Sequence, residues 1–329
     1  MQIPDLHISN FKCFESLSLE GAERINLVGG KNNVGKSALL EALELLANGT
    51  APDRAMFSLA GILRRRQQRV DFELACDVFR DDSAPLEIGS GARAVTMDLE
   101  QDSIAGQKIR IKTDPQQAHR EFAFNDFRKT FPNRLHLPGR KDNVIVFLTP
   151  GKLHEGGIAD YYGHVVEHGW EGELDQSLAA FDPHIEALKA IPSERGTTFK
   201  VKRKDHRELF LLSSLGAGTT RLVTMLSAIW AAKDGLLLID EIENGIHFMQ
   251  LPLLWRLLFE TSKMAGCQVF ATTHGRECIE TFSAANATFR RGAYFELAVD
   301  AKRGGIFCTK HDADVLAYSL DTGLGVRGE

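Results

Sequence analysis

Ile25-Asn26-Leu27-Val28-Gly29-Gly30-Lys31-Asn32-Asn33-Val34-Gly35-Lys36-Ser37 is a short apolar run that empties into glycines and a lysine–serine pair. Ile25–Val28 predicts a buried strand. From Ser37 to Leu46 the apolar residues Leu39, Leu40, Ala42, Leu43 and Leu46 recur at helical spacing, closed by Asn48-Gly49. Strand, glycine-rich loop and helix in that order are the context a phosphate-binding loop requires. Glycines let backbone N–H groups converge on a phosphate without a Cβ in the way. The start of the helix adds the positive end of its dipole. Gly30, Asn32, Asn33, Val34, Gly35, Lys36 and Ser37 are therefore candidate ATP-binding residues. Lys36 is expected to reach the β- and γ-phosphates and Ser37 to ligate Mg2+.

Upstream, residues 3–9 and 16–20 alternate apolar and polar around Phe11-Lys12-Cys13-Phe14 and predict a strand pair. Downstream, order is weaker. Val70–Phe79, Ala94–Leu99 and Val144–Leu148 read as strands, Asp82–Gly91 as turns, and Ala159–Glu186 as mostly helical, with a new turn or helix at Asp182-Pro183. Phe199–Leu212 reads as a strand pair or one long strand. A helix is expected from about Thr219 to Ala232, another over Met249–Ala265, and a strand at Gln268–Thr273. Tyr294–Thr309 reads as a hairpin turning at Arg303-Gly304-Gly305, with a short helix near Asp312–Thr322.

Three further motifs carry chemistry. Leu236-Leu237-Leu238-Ile239 is wholly apolar, as a strand buried on both faces should be, and runs into Asp240-Glu241. Asp240 is placed to hold a water of the Mg2+ shell, and Glu241 to polarise an attacking water. One helix and one strand later, Thr272-Thr273-His274 sets His274 where it can hydrogen-bond a γ-phosphate. Ser213-Ser214-Leu215-Gly216-Ala217-Gly218 opens a helix with hydroxyls and glycines, a second phosphate-binding surface. Since the first loop already holds the phosphates, this one makes sense against the nucleotide of another subunit.

The bulk properties fit a soluble α/β protein: 43% hydrophobic and 25% charged residues over 329 residues. A net charge of −5 excludes binding of nucleic acid by the chain's overall charge. Five scattered cysteines without a CxxC pair read as reduced thiols. The first residues lack a signal-peptide pattern, and the apolar stretch near Trp230 is cut by Lys233 and Asp234, so a cytoplasmic protein without a membrane anchor is expected.

Taken together, the phosphate loop, the serine–glycine loop, Asp240-Glu241, the following Glu243-Asn244-Gly245-Ile246-His247 and Thr272-Thr273-His274 resemble the ABC ATPase class. Phe11–Phe14, Asp240–His247 and Thr272–Cys278 bring the likeness closer to the OLD-type (overcoming lysogenization defect) ATPases and their stand-alone relatives, over Leu6–Leu46, Phe147–Leu188 and Leu212 onward. The resemblance implies an ABC-type P-loop core, a mixed sheet flanked by helices, built from residues 1–50 and 200–329. Residues 51–199 would be an insertion or lid of helices and strands. It also implies a homodimer, or a higher oligomer, that sandwiches ATP. Lys36, Ser37, Asp240 and Glu241 of one subunit would face Ser214, Gly216 and Gly218 of the other. The signature departs from the class pattern, being Ser-Leu-Gly-Ala-Gly rather than Ser-Gly-Gly. No glutamine is selected for a Q-loop, although Gln67 and Gln68 are available.

OLD-type nucleases carry a Toprim domain with a glutamate and an Asp-x-Asp at strand ends. Asp312-Ala313-Asp314 has the letters but follows a hairpin, and reads as a helix N-cap. The expectation is an ATPase that controls a separately encoded effector, a Toprim-like nuclease or a toxin, in anti-phage defence. The alternatives are a RecF-like repair ATPase, in which Arg64–Arg69 and Lys200–Lys204 would contact DNA, and a transporter subunit. His164 and His168 sit at i, i+4 around Glu167 but lack the His-Glu-x-x-His register of a zinc protease.

Overall fold

The computed structural model describes residues 2–67, 76–102, 106–114, 118–123, 145–150, 155–193, 196–300 and 304–322. Its strands, in chain order, are β1 (Asp5–Phe11), β2 (Phe14–Glu20), β3 (Ile25–Gly30), β4 (Leu86–Ser90), β5 (Arg93–Asp102), β6 (Gly106–Asp114), β7 (Ala118–Ala123), β8 (Ile145–Leu148), β9 (Ile185–Ser193), β10 (Gly196–Arg203), β11 (Leu209–Leu211), β12 (Leu236–Ile239), β13 (Gln268–Thr272), β14 (Gly292–Val299) and β15 (Ile306–His311). The α-helices are α1 (Lys36–Asn48), α2 (Pro52–Gln67), α3 (Glu155–Glu167), α4 (Glu171–Phe181), α5 (Ala217–Ala231), α6 (Leu251–Ala265), α7 (Arg276–Phe289) and α8 (Ala313–Asp321).

A six-stranded sheet of order β15-β14-β3-β13-β12-β8 forms the centre. Five of its strands are parallel and β15 is antiparallel to β14, so the sheet is mixed and flanked by helices, as expected. The apolar run 236–239 shows why. Leu236 and Leu238 face one core with α1 and α2, while Leu237 and Ile239 face a second core with α3 through α8. Successive side chains point to opposite faces, so a strand with helices on both sides must be apolar at every position. The second core is anchored by Trp255 of α6, fully buried, edge-on to Phe282 with centroids 5.0 Å apart and donating its indole N–H to the carbonyl of Cys278. Trp255→Ala is expected to cost about 3–5 kcal/mol, read as a lowered denaturant midpoint. An unchanged midpoint would remove Trp255 from the core.

A six-stranded antiparallel sheet, β2-β1-β4-β5-β6-β7, covers the α1/α2 side, and a three-stranded one, β11-β10-β9, lies in the second core. Two expectations are corrected here. Leu86–Ser90, inside the stretch read as turns, is strand β4, pairing with β1 through Ile8 and Ile88. The end of the stretch read as helical is strand β9, because Leu188 and Ala190 find partners in Val201 and Phe199 of β10. Of the expected strand Val70–Phe79, residues 70–75 lie outside the described ones, and Phe79 forms a single bridge to Phe11. Asp312 caps α8, accepting from the N–H of Asp314 at 2.9 Å, the N-cap role read from the sequence. None of the five cysteines is in a disulfide, and burial pushes the thiol of Cys267 up to about 12. Among the described residues no helix is long and apolar enough to cross a membrane.

Candidate functional site

The ends of β3, β12 and β13 are neighbours in the sheet, and the loops leaving them converge on one cleft of about 560 Å³. Asn32, Asn33, Gly35, Lys36, Ser37, Asp240, Glu241 and His274 line it together with Lys12, Cys13, Leu63, Asp77 and Val78. The structure thus brings the phosphate loop, the Asp-Glu pair and the histidine to one place from three distant segments.

The phosphate loop turns through left-handed residues at Asn33 (φ 65°) and Gly35 (φ 88°). A Cβ on Gly35 would stand 2.7 Å from Cys13 Sγ and from Phe14 Cζ. The β1–β2 turn, Phe11-Lys12-Cys13-Phe14, therefore presses directly on the loop, which explains a motif whose role the sequence did not reveal. Helix α1 starts with no side-chain cap and no acidic residue in its first turn, leaving its N–H groups to an anion. Lys36 Nζ donates to the carbonyls of Gly30 (2.7 Å) and Lys31 (2.6 Å). Burial pulls its ammonium below the usual lysine range, and the carboxylates of Asp240, Glu243 and Glu241 work against that.

Ser37 Oγ donates to Asp240 Oδ2 at 2.8 Å, and Thr272 Oγ1 donates to Asp240 Oδ1 at 2.6 Å. Thr272 in turn accepts from the N–H of Glu241 at 2.9 Å. Thr272 thus fixes both acidic residues, a role that the motif Thr272-Thr273-His274 did not reveal. Glu241 is left-handed (φ 49°), a strained conformation for a residue with a side chain, of the kind that concentrates at functional sites. Ser37 and Asp240 offer facing oxygens in one cleft, a donor set that suits a hard cation such as Mg2+.

His274 is half exposed, with Nδ1 3.3 Å from Glu243 Oε1. That same oxygen accepts from Thr273 Oγ1 (2.8 Å) and from the N–H groups of His274 (3.0 Å) and Gly275 (3.1 Å). Glu243 is thus the anchor of the histidine loop. In the sequence it stands out only as the first residue of the loop Glu243-Asn244-Gly245-Ile246-His247.

Ser214, Gly216 and Gly218 stand apart. They do not line the cleft, and Ser214 and Gly216 are exposed. Ser214 Oγ donates to the carbonyl of Leu211, and Gly216 is left-handed at φ 98°. Helix α5 starts here without a side-chain cap. Gly218 lies against the loop after Asp240-Glu241, where a Cβ would meet Gln250 Oε1 at 2.8 Å and the carbonyl of Gly245 at 3.4 Å. Next to Gln250, Phe248 and Met249 are 62% and 74% exposed, unusual for residues of this size.

Beside the main cleft a second one, of about 630 Å³, is lined by Ser37, Asp240, Glu41, Arg65, Phe147, Thr149 and Pro150. The strand flanking β12 on this side, β8, leads to Thr149 in this cleft; of the two glutamines available for a Q-loop, Gln68 and the side chain of Gln67 lie outside the described residues. Arg221 of α5, 7% exposed, donates to the carbonyl of Thr149 at 3.0 Å, which ties the helix of the serine–glycine loop to this edge. Three cations of the basic clusters are paired with carboxylates. Arg65 pairs with Glu44 and lies over the Phe147 ring, Lys202 pairs with Glu186 at 2.7 Å, and Arg203 with Asp182 and Asp205.

The family described as "AAA domain, putative AbiEii toxin, Type IV TA system" matches residues 106–275, and a second, "AAA ATPase domain", matches residues 1–131. An "ATP/GTP phosphatase" of Helicobacter pylori is 26% identical over 84% of this chain and 86% of its own length. An "OLD nuclease" of Thermus scotoductus is 22% identical over 82% of this chain but only 58% of its own length. Among solved structures, an Smc head bound to the C-winged helix domain of ScpA superposes with a TM-score of 0.53 at 12% identity, covering 95% of this chain and 99% of that one. That likeness shows a shared fold.

Proposed function

The chain belongs to the AAA-domain family matched over residues 106–275 and is an ATPase, and from that premise we propose that it is an ATP-gated switch made of two copies of itself. Gly30 and Asn32 to Ser37 bind the phosphates of ATP through backbone N–H groups, with Lys36 neutralising their charge. Ser37 and Asp240 would hold Mg2+, which when bound offsets further phosphate charge. Glu241 takes the proton of the attacking water, and His274, held by Glu243, donates to the γ-phosphate side.

The observation that carries the dimer is the separation of two phosphate-binding surfaces. The cleft gathers Asn32, Asn33, Gly35, Lys36, Ser37, Asp240, Glu241 and His274, groups that would hold the nucleotide from one side. Ser214, Gly216 and the uncapped start of α5 form an exposed second surface that none of them needs. Exposed Phe248 and Met249 adjoin that surface and supply apolar area for a contact between copies. The pairing of Arg65, Lys202 and Arg203 weakens the alternative of a DNA clamp, since counterion release needs unpaired cations.

The output is assigned to a separately encoded effector, a Toprim-like nuclease or a toxin, in anti-phage defence in the cytoplasm. Support comes from the family description, which names a toxin system, and from the likeness to an OLD nuclease.

Ser214→Arg tests the sandwich. Mass measured by light scattering on a hydrolysis-blocked background should double with ATP, and the Ser214→Arg chain should stay monomeric while still binding ATP. A mass indifferent to ATP, or doubling that survives Ser214→Arg, would sink the dimer reading.

A further inference from the structure

Helix α3 runs to Glu167 and is followed by His168, so that His164-Val165-Val166-Glu167-His168 closes it in a segment that lines neither cleft. Residues four apart share a helix face, and the two imidazoles meet with ring centroids 4.3 Å apart. One ligand atom each from His164, Glu167 and His168 lies within 4.8 Å of the others. Glu167 Oε2 is 3.9 Å from His164 Nδ1.

Two details prepare this cluster for a ligand. His168 Nδ1 lies 2.9 Å from the carbonyl oxygen of His164. A carbonyl can only accept, so Nδ1 carries the proton and Nε2 keeps its lone pair, the arrangement by which outer hydrogen bonds orient metal-binding histidines. Trp170 then stacks on the His168 ring at 4.6 Å and 22°, which limits the ring's rotation. The helix C-terminus adds the negative end of its dipole, which favours a cation there.

We propose that His164, Glu167 and His168 form a binding site for a borderline divalent transition-metal ion such as Zn2+, Ni2+ or Cu2+. Two imidazole nitrogens and one carboxylate oxygen select such ions over Mg2+, which prefers oxygen alone. Three protein ligands leave a further coordination position for water or for a group from a partner. Lys233 Nζ lies 4.6 Å from the Trp170 ring, so the cluster sits at the far end of α5 from the serine–glycine loop. Fifteen helical residues put about 22 Å between those ends. None of the three residues lines either cleft, so the site is separate from the one that takes ATP and its Mg2+, and it does not depend on the dimer.

Trp170 is also the reporter. Cu2+ at this cluster should quench its fluorescence, whereas Trp230 and Trp255 are buried elsewhere in the second core. Tag-free protein titrated with Cu2+ should show saturable quenching with one ion per chain, reversed by EDTA. The double variant His164→Ala/His168→Ala, checked for an unchanged melting curve, should bind Cu2+ at least about tenfold more weakly by calorimetry. Trp170→Phe should keep the calorimetric binding and lose the quenching. Equal affinity and stoichiometry in the double variant, or no binding by the wild-type chain below millimolar Cu2+, would overturn the proposal.

Discussion

Lys36→Ala should weaken ATP binding by about 100-fold or more, the loss of two charge-assisted hydrogen bonds to phosphate at about 1.5–3 kcal/mol each, partly offset by water. The side chain is already drawn over the loop by the carbonyls of Gly30 and Lys31, so alanine removes the cation without disturbing the packed residues of α1. The three carboxylates around it, Asp240, Glu241 and Glu243, would then face the phosphates with no lysine between them. Calorimetry with ATP and Mg2+ measures the effect. Affinity within a few-fold of the wild type would mean that the loop does not bind phosphate.

The second large effect is on turnover. Glu241→Gln keeps the side chain's size and its neighbour Asn244, but removes the proton acceptor. Steady-state phosphate release is expected to fall by about 10²–10⁴-fold, with ATP affinity held within a few-fold. The split separates this residue from Lys36: one variant loses the bound state, the other only the chemical step. Equal loss of binding and turnover would show that Glu241 positions ATP instead of activating water. The left-handed backbone at Glu241 is held by the Thr272 hydroxyl, so Thr272→Val is the natural companion in the same assay.

The parts of the site that the sequence showed are those where one local pattern forces one structure. An apolar run entering glycines and Lys-Ser gives strand, loop and helix. Four apolar residues before Asp240-Glu241 admit only a strand covered on both faces. What stayed hidden depends on pairing that the local residues do not announce. Leu86-Glu87-Ile88-Gly89-Ser90 carries turn-forming residues and becomes a strand by lying between β1, where Ile8 faces Ile88, and β5, where Val95 does. Ile185-Glu186-Ala187-Leu188-Lys189-Ala190 is rich in helix formers, yet pairs with β10 as a strand at the edge of its sheet, where Pro192 is tolerated. Glu243 has no local signal because three of its partners are the hydroxyl and N–H groups of Thr273, His274 and Gly275, about thirty residues on. The role of the β1–β2 turn was hidden for the same reason: its contact is with Gly35.

Strand β3, which launches the phosphate loop, lies between β13 and β14, both from the last quarter of the chain. As the chain is synthesised at about 5–20 residues per second, β3 emerges early and waits for both neighbours. The Ser37–Asp240 contact spans 203 residues. Closing loops of that length costs entropy before any contact repays it, which slows folding. Until residue 272 and beyond have left the ribosome, the apolar residues of β3 have no sheet to enter. The nascent protein is therefore exposed to chaperones and to misassembly for most of its synthesis, and competence to bind ATP arrives as one of the last events in its making.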